Sequence, residues 1–282
     1  MKTIIKNQEF GGERPLYMSH DLQLENVVIG VGESGIKESR NITAIGCRFE
    51  GKYPFWCTDG FEVRDCVFTE GARAALWYSK NLVMANTTVD APKMFREMDG
   101  LSLTDVTLNH AAETLWKCRH IRLKNVVANE ADYIFMNCEN IEIDNLTLNG
   151  NYSFQYCKNV VIRNSILNTK DAFWNTDNVT VENSVLNGEY LAWYSNRLTL
   201  RNCKIGETQP LCYADNLVLE GCEMGADADL AFEYSQVRAD IRGHVVSIKN
   251  PRTGRIVADS IGEIIIDKNI KGPADCIIET RG

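Results

Sequence analysis

The chain has 282 residues, 44% of them hydrophobic and 24% charged, so it carries ample material for a core and no compositional sign of disorder. Lys plus Arg total 30 against 38 for Asp plus Glu, a net charge of -8 with no basic run. Nucleic acid and anionic membrane are thereby disfavoured as principal partners, and no segment has the unbroken apolar length of a membrane span.

The opening stretch, residues 1–8, lacks the apolar core of a signal peptide, which makes the cytoplasm the expected location. Ten cysteines in that setting read as reduced thiols rather than as a disulfide framework. No CxxC pair occurs, and His20, His110, His120 and His244 are not spaced as metal ligands, so no metal and no cofactor is expected.

Read in chain order, short alternating strands begin with a weak copy at Ile4-Ile5. They continue from anchors at Leu22, Ile42, Phe61, Leu82, Leu101, Ile121, Ile141, Val160, Val179, Leu198, Leu217 and Val237, spaced 19 to 21 residues apart. Copies such as Asn140-Ile141-Glu142-Ile143-Asp144-Asn145 and Asn159-Val160-Val161-Ile162-Arg163-Asn164 show the unit plainly. A left-handed hexapeptide helix needs an aliphatic residue every six positions, and a leucine-rich repeat places its Asn one position later and adds a helix-forming half. Neither frame fits. A parallel β-helix does: an all-β solenoid of about 13 coils, each coil one repeat, with equivalent residues stacked about 4.8 Å apart. Asn26, Asn86, Asn125, Asn145, Asn164, Asn183 and Asn202 share one slot, with Asp65 and Asp105 as variants, which suits a turn whose amides hydrogen-bond along the stack.

Beyond Val237 the period loosens into two alternating runs, 245–249 and 255–257, around Asn250-Pro251-Arg252-Thr253-Gly254. This predicts a closing hairpin within a C-terminal cap over 237–282, in the same domain as the coils of 1–236.

These coils resemble the right-handed parallel β-helix proteins of the pectate-lyase-like superfamily, most closely a bacterial branch with short coils and no assigned activity. The resemblance covers nearly the whole chain and implies a single-stranded right-handed winding, with carbohydrate as the leading ligand class. The superfamily's catalytic signatures are missing. No Asp-Asp pair is followed by Gly-His-Gly, the nearest string being Arg242-Gly243-His244-Val245, and no stacked Asp residues stand beside an Arg-x-x-Arg. Catalysis is therefore not carried over.

All five tryptophans share one slot, five places before the next anchor: Tyr17, Lys37, Trp56, Trp77, Arg96, Trp116, Met136, Gln155, Trp174, Trp193 and Cys212. The slot one place earlier is apolar throughout, from Leu16 and Ile36 through Phe135, Phe154 and Phe173 to Leu211. Strand alternation then points the apolar column inward and the tryptophan column outward. Three places before the tryptophans, Arg14, Tyr53, Lys93, Glu113, Tyr133, Tyr152, Asp171, Tyr190 and Gln209 form a polar, tyrosine-rich column. Together the two columns predict a shallow groove for an oligosaccharide, with Trp56, Trp77, Arg96, Trp116, Tyr133, Tyr152, Gln155, Trp174, Tyr190 and Trp193 as binding residues.

Two other readings stand beside this one. A polysaccharide lyase would use Lys93 or Arg96 to neutralise a uronate carboxylate and Tyr133 as acid, while a glycoside hydrolase would pair Glu113 with Asp171 or Glu97. A protein-interaction scaffold would dock a partner or a second copy on the aromatic stripe. Cysteines also recur in register, as Cys118, Cys138 and Cys157 and as the pairs Cys47/Cys66 and Cys203/Cys222, in slots otherwise held by Ser, Thr, Ala and Val, which marks positions that need a small side chain.

Overall fold

The computed structural model describes residues 1–281. They form a right-handed parallel β-helix of about fifteen turns, with no α-helix among the described residues. The chain divides into two compact units, residues 1–146 and 147–282.

In the first unit, the strands Thr3–Lys6, His20–Glu25, Arg40–Ile45, Asp59–Arg64, Lys80–Val89, Asp99–Leu108 and Arg119–Ala128 follow one another turn by turn, and Glu139–Asn149 begins the last turn. Every resolved pairing is parallel, and the anchors meet in register: Leu22 against Ile42, Ile42 against Phe61, Phe61 against Leu82, Leu82 against Leu101, Leu101 against Ile121. The second unit repeats the arrangement through Lys158–Arg163, Asp177–Glu182, Asn196–Arg201, Leu217–Met224 and Gln236–Arg242, with Val160, Val179 and Leu198 in one row.

Each coil closes through left-handed corners. Asn26, Asn86, Asn125 and Asn145 all have φ near +50 to +61°, as do Asn164, Asn183 and Asn202 in the second unit. Asn adopts this conformation at little cost, and Gly46 and Gly221, at φ 63 and 62°, occupy the same slot for the same reason. The amides form the expected ladder: Asn145 donates to Asn125 Oδ1 at 2.9 Å, and Asn125 donates to Asp105 Oδ1 at 2.8 Å.

Inside each coil, aliphatic anchors and a phenylalanine row make the core. Phe49 stacks on Phe68 at 4.6 Å and Phe154 on Phe173 at 5.5 Å, all four fully buried. A further buried row of small residues satisfies the corner backbone: Ser79 Oγ accepts from the Thr58 amide (3.0 Å) and donates to the Phe55 carbonyl (2.6 Å). Cysteine fills the same role, since the Cys118 amide donates to Cys138 Sγ at 3.3 Å. Burial pushes the Cys118 thiol well above its ordinary range, so it stays protonated.

The C-terminal hairpin is not formed. Thr253–Ala258 pairs parallel with Gln236–Arg242, His244–Lys249 pairs parallel with Ser260–Ile265, and Ile277–Thr280 pairs parallel with Thr253–Ala258. The winding therefore continues for two turns past the last sequence anchor. A local turn at 250–254 is compatible with either outcome, and here each strand finds its partner one coil back rather than across the turn.

Candidate functional site

The slot that contains the tryptophans lies between the strands, not on one. From Leu115 onward its apolar neighbour is a left-handed corner: Leu115, Phe135, Phe154, Phe173, Ala192 and Leu211 have φ between 57 and 74°, and inversion there sends that residue inward and the next side chain outward. In the earlier turns the left-handed residue is instead the one after the slot, Glu38, Cys57, Tyr78 and Glu97. From Ile36 to Leu211 the apolar column is buried, while all five tryptophans are half-exposed.

In the first unit, Trp56 and Trp77 lie 5.1 Å apart, and Tyr53 meets Trp56 edge-on at 4.9 Å. The next turn contributes Arg96, whose guanidinium sits 4.2 Å from the Trp77 ring and 4.6 Å from the Trp116 ring. The indoles are fixed by their own N–H groups: Trp77 donates to the Lys93 carbonyl (2.6 Å) and Trp116 to the Tyr133 carbonyl (2.7 Å). Arg96 makes no salt bridge among the described residues, and its Nε is buried without an acceptor. Arg96, Glu97, Trp116, Lys117, Met136 and Asn137 surround a hollow of about 190 Å³.

Charged candidates in this unit are largely engaged. Lys93 Nζ lies 3.1 Å from Glu113, and Lys117 lies 3.9 Å from Glu97. Tyr133 is exposed, at 40% of its surface.

In the second unit, Trp174 stacks on Trp193 at 5.7 Å with the rings 18° apart, and Tyr190 lies 6.0 Å from Trp193. Lys170 places its ammonium 5.5 Å from the Tyr152 ring. Gln155 is only 4% exposed and is withdrawn from the surface on which it was expected. It stands between the buried Phe154 and the exposed Tyr156. Asp171 is likewise buried, at 8%, and its Oδ1 has no hydrogen-bond partner. Burial raises its carboxyl above the ordinary value of 3.8, with Lys170 opposing and Glu189 reinforcing. A raised carboxyl is what a general acid requires, yet one buried in this way offers little access to a substrate.

The arrangement differs from the expected groove in one respect. Coil spacing brings like side chains to about 5 Å, so consecutive rings pile on one another instead of presenting separate faces. The half-exposed rings therefore cover one another in part.

The slot immediately after the tryptophans holds Tyr78, Tyr156, Tyr194, Tyr213 and Tyr234, and the last three come from consecutive turns. Tyr194 is 55% exposed, Tyr194 and Tyr213 are 5.5 Å apart, and Tyr213 and Tyr234 are 5.2 Å apart. They border a recess of about 480 Å³ with Asp215, Arg252 and Lys271. Counting the repeat one place further would have revealed the tyrosine row; Arg252 and Lys271 lie in the irregular C-terminal segment, where no repeat position identifies them. Among the described residues, no group of three or more His, Cys, Asp or Glu side chains could hold a metal ion.

The fold defines a right-handed parallel β-helix. The chain belongs to the family described as a protein of unknown function, DUF3737, which matches residues 3–279. No curated protein matches it in sequence. Among solved structures it is similar to the surface adhesin PfbA of Streptococcus pneumoniae, at 11% identity and a TM-score of 0.50, over 95% of this chain and 86% of that one. It is more distantly similar to the A-module of the mannuronan C-5 epimerase AlgE4 of Azotobacter vinelandii, at 9% identity and a TM-score of 0.28, over 100% and 91% of the two chains. The catalytic domain of a GH87 α-1,3-glucanase matches at 11% identity and a TM-score of 0.29, over 99% of this chain and 63% of that one. The likeness is one of fold.

Proposed function

We propose that this protein binds an extended carbohydrate against its outward aromatic columns, without turning it over. One observation carries the reading: all five tryptophans and Arg96 are half-exposed, each next to a buried residue of the apolar column. Half-exposed rings, tyrosine hydroxyls and the Arg96 guanidinium suit a polymer that offers alternating C–H and O–H groups. Binding is favoured over lyase or hydrolase chemistry because Lys93 and Glu113 neutralise one another and Asp171 is enclosed.

The test is a panel of immobilised glycans probed with the labelled protein, followed by Trp116→Ala and Trp174→Ala. Each variant is expected to lose at least tenfold in affinity for the glycan its own unit binds, with the fold intact by circular dichroism. Absence of binding to every glycan would overturn the proposal, and so would unchanged affinity in both variants. New reducing ends or unsaturated products would replace it with the enzymatic reading.

A further inference from the structure

We propose that the recess lined by Tyr194, Tyr213, Tyr234, Asp215, Arg252 and Lys271 is a binding site for a single pyranose unit, with the sugar ring on the tyrosines and two adjacent hydroxyls held by the Asp215–Arg252 pair. This rests on the carbohydrate reading and sharpens it to one place and one recognition chemistry.

The recess has the right size, since about 480 Å³ falls within the range of small-ligand cavities, roughly 300–1,000 Å³. Tyr194 and Tyr213 are tilted by 47° and Tyr213 and Tyr234 by 32°, and Tyr194 is 55% exposed, so part of the tyrosine surface is open to the recess. An uncovered aromatic face next to a hydroxyl tip suits a sugar ring, which has an apolar face and a polar rim.

The polar wall supplies both halves of a hydroxyl's chemistry. Arg252 Nη2 donates to Asp215 Oδ1, and also to the Ala214 carbonyl at 3.5 Å. Among the described residues Asp215 Oδ2 has no protein donor and Arg252 Nη1 has no acceptor, while Arg252 Nε is buried. A carboxylate only accepts and a guanidinium only donates, whereas each hydroxyl does both. Two neighbouring hydroxyls therefore match the pair, one donating to Asp215 and the other accepting from Arg252. Asp215 and Arg252 balance one another and Lys271 adds a positive charge to the lining, so an ammonium ligand is disfavoured. Burial, reinforced by the Glu233 carboxylate, pushes the Tyr213 phenol upward, so it remains a neutral donor at neutral pH.

Methyl glucoside, mannoside and galactoside and their 2-deoxy and 3-deoxy analogues are titrated calorimetrically into the full chain. At least one glycoside is expected to bind, with a tenfold or greater loss when either hydroxyl of the matching pair is removed. Asp215→Asn and Tyr213→Ala are each expected to lose at least tenfold, while Glu142→Gln, on an exposed strand face of the first unit, leaves monosaccharide affinity unchanged. Tyr213→Phe, which keeps the ring, stands in if Tyr213→Ala fails to fold and is expected to lose less. Failure of all the glycosides to bind, or binding that Asp215→Asn leaves untouched, would overturn the proposal. If a longer glycan still binds and responds to Trp116→Ala or Trp174→Ala but not to Asp215→Asn, the recess falls and the broader reading stands. If no saccharide of any length binds, both fall.

Discussion

Replacing Arg96 by Met should leave the first unit more stable by about 1 kcal/mol, despite the residue's position between two indoles. The guanidinium lies 4.2 and 4.6 Å from the Trp77 and Trp116 rings. Contacts of this kind at partly exposed sites contribute about 0.5–1 kcal/mol each, so together about 1–2 kcal/mol. Against this, the buried Nε without an acceptor costs about 1–3 kcal/mol. Met keeps an unbranched stem between the rings and gains sulfur–aromatic contact of about 0.3–1.5 kcal/mol. At their midpoints the terms favour Met by about 1 kcal/mol, so the arginine is not required by the fold and leaves a charged group at the surface without an ion-pair partner among the described residues. Urea unfolding followed by tryptophan emission measures the difference. A loss above about 2 kcal/mol would refute the accounting and make Arg96 a structural clamp.

Other outcomes follow from the same coordinates. Asn125→Gly should be more stable than Asn125→Ala by about 0.5–1 kcal/mol, since both lose the same amide bonds but only Ala opposes φ of 53°; paired denaturant titrations decide it, and equal stability would sink the corner argument. Asp171→Asn should raise stability at pH 7 and leave it unchanged near pH 3. The raised carboxyl of Asp171 favours the fold fully below its ordinary value of 3.8, and that advantage is lost as pH rises through its folded value. A melting profile over pH 3–7 in which the two proteins run parallel would contradict it. Phe173→Ala removes a fully buried ring from the stack with Phe154 and should cost about 3–5 kcal/mol by denaturant unfolding; a cost below about 1 kcal/mol would mean that the column is not core.

The winding was legible because it rests on repetition. Each anchor from Leu22 to Val237 announces its own neighbour, and the Asn slot marks the same corner in turn after turn, so even single ambiguous copies are read through the others. The direction in which Phe135 and Trp116 point was also readable, although through a left-handed corner rather than a strand pleat. What failed was local or non-repeating. Asn250-Pro251 and Gly254 report a turn but carry no information about whether the flanking strands pair with each other or with the preceding coil. Gln155 was assigned to the surface by its slot, yet burial is set by the neighbours that close over it. Arg252 joins Asp215 across 37 residues, a separation to which no spacing within a 20-residue repeat could point.

The ring piles give the protein an optical property of its own. Trp56 and Trp77 at 5.1 Å, and Trp174 and Trp193 at 5.7 Å, are close enough for their electronic transitions to couple, which adds paired bands of opposite sign to the circular dichroism of an ordinary β protein. Each pair belongs to one unit, so silencing one by Trp77→Phe or Trp193→Phe leaves a spectrum that reports only the other. Heating such variants would show, without any label, whether the two halves of the chain lose their coils at one temperature or at two.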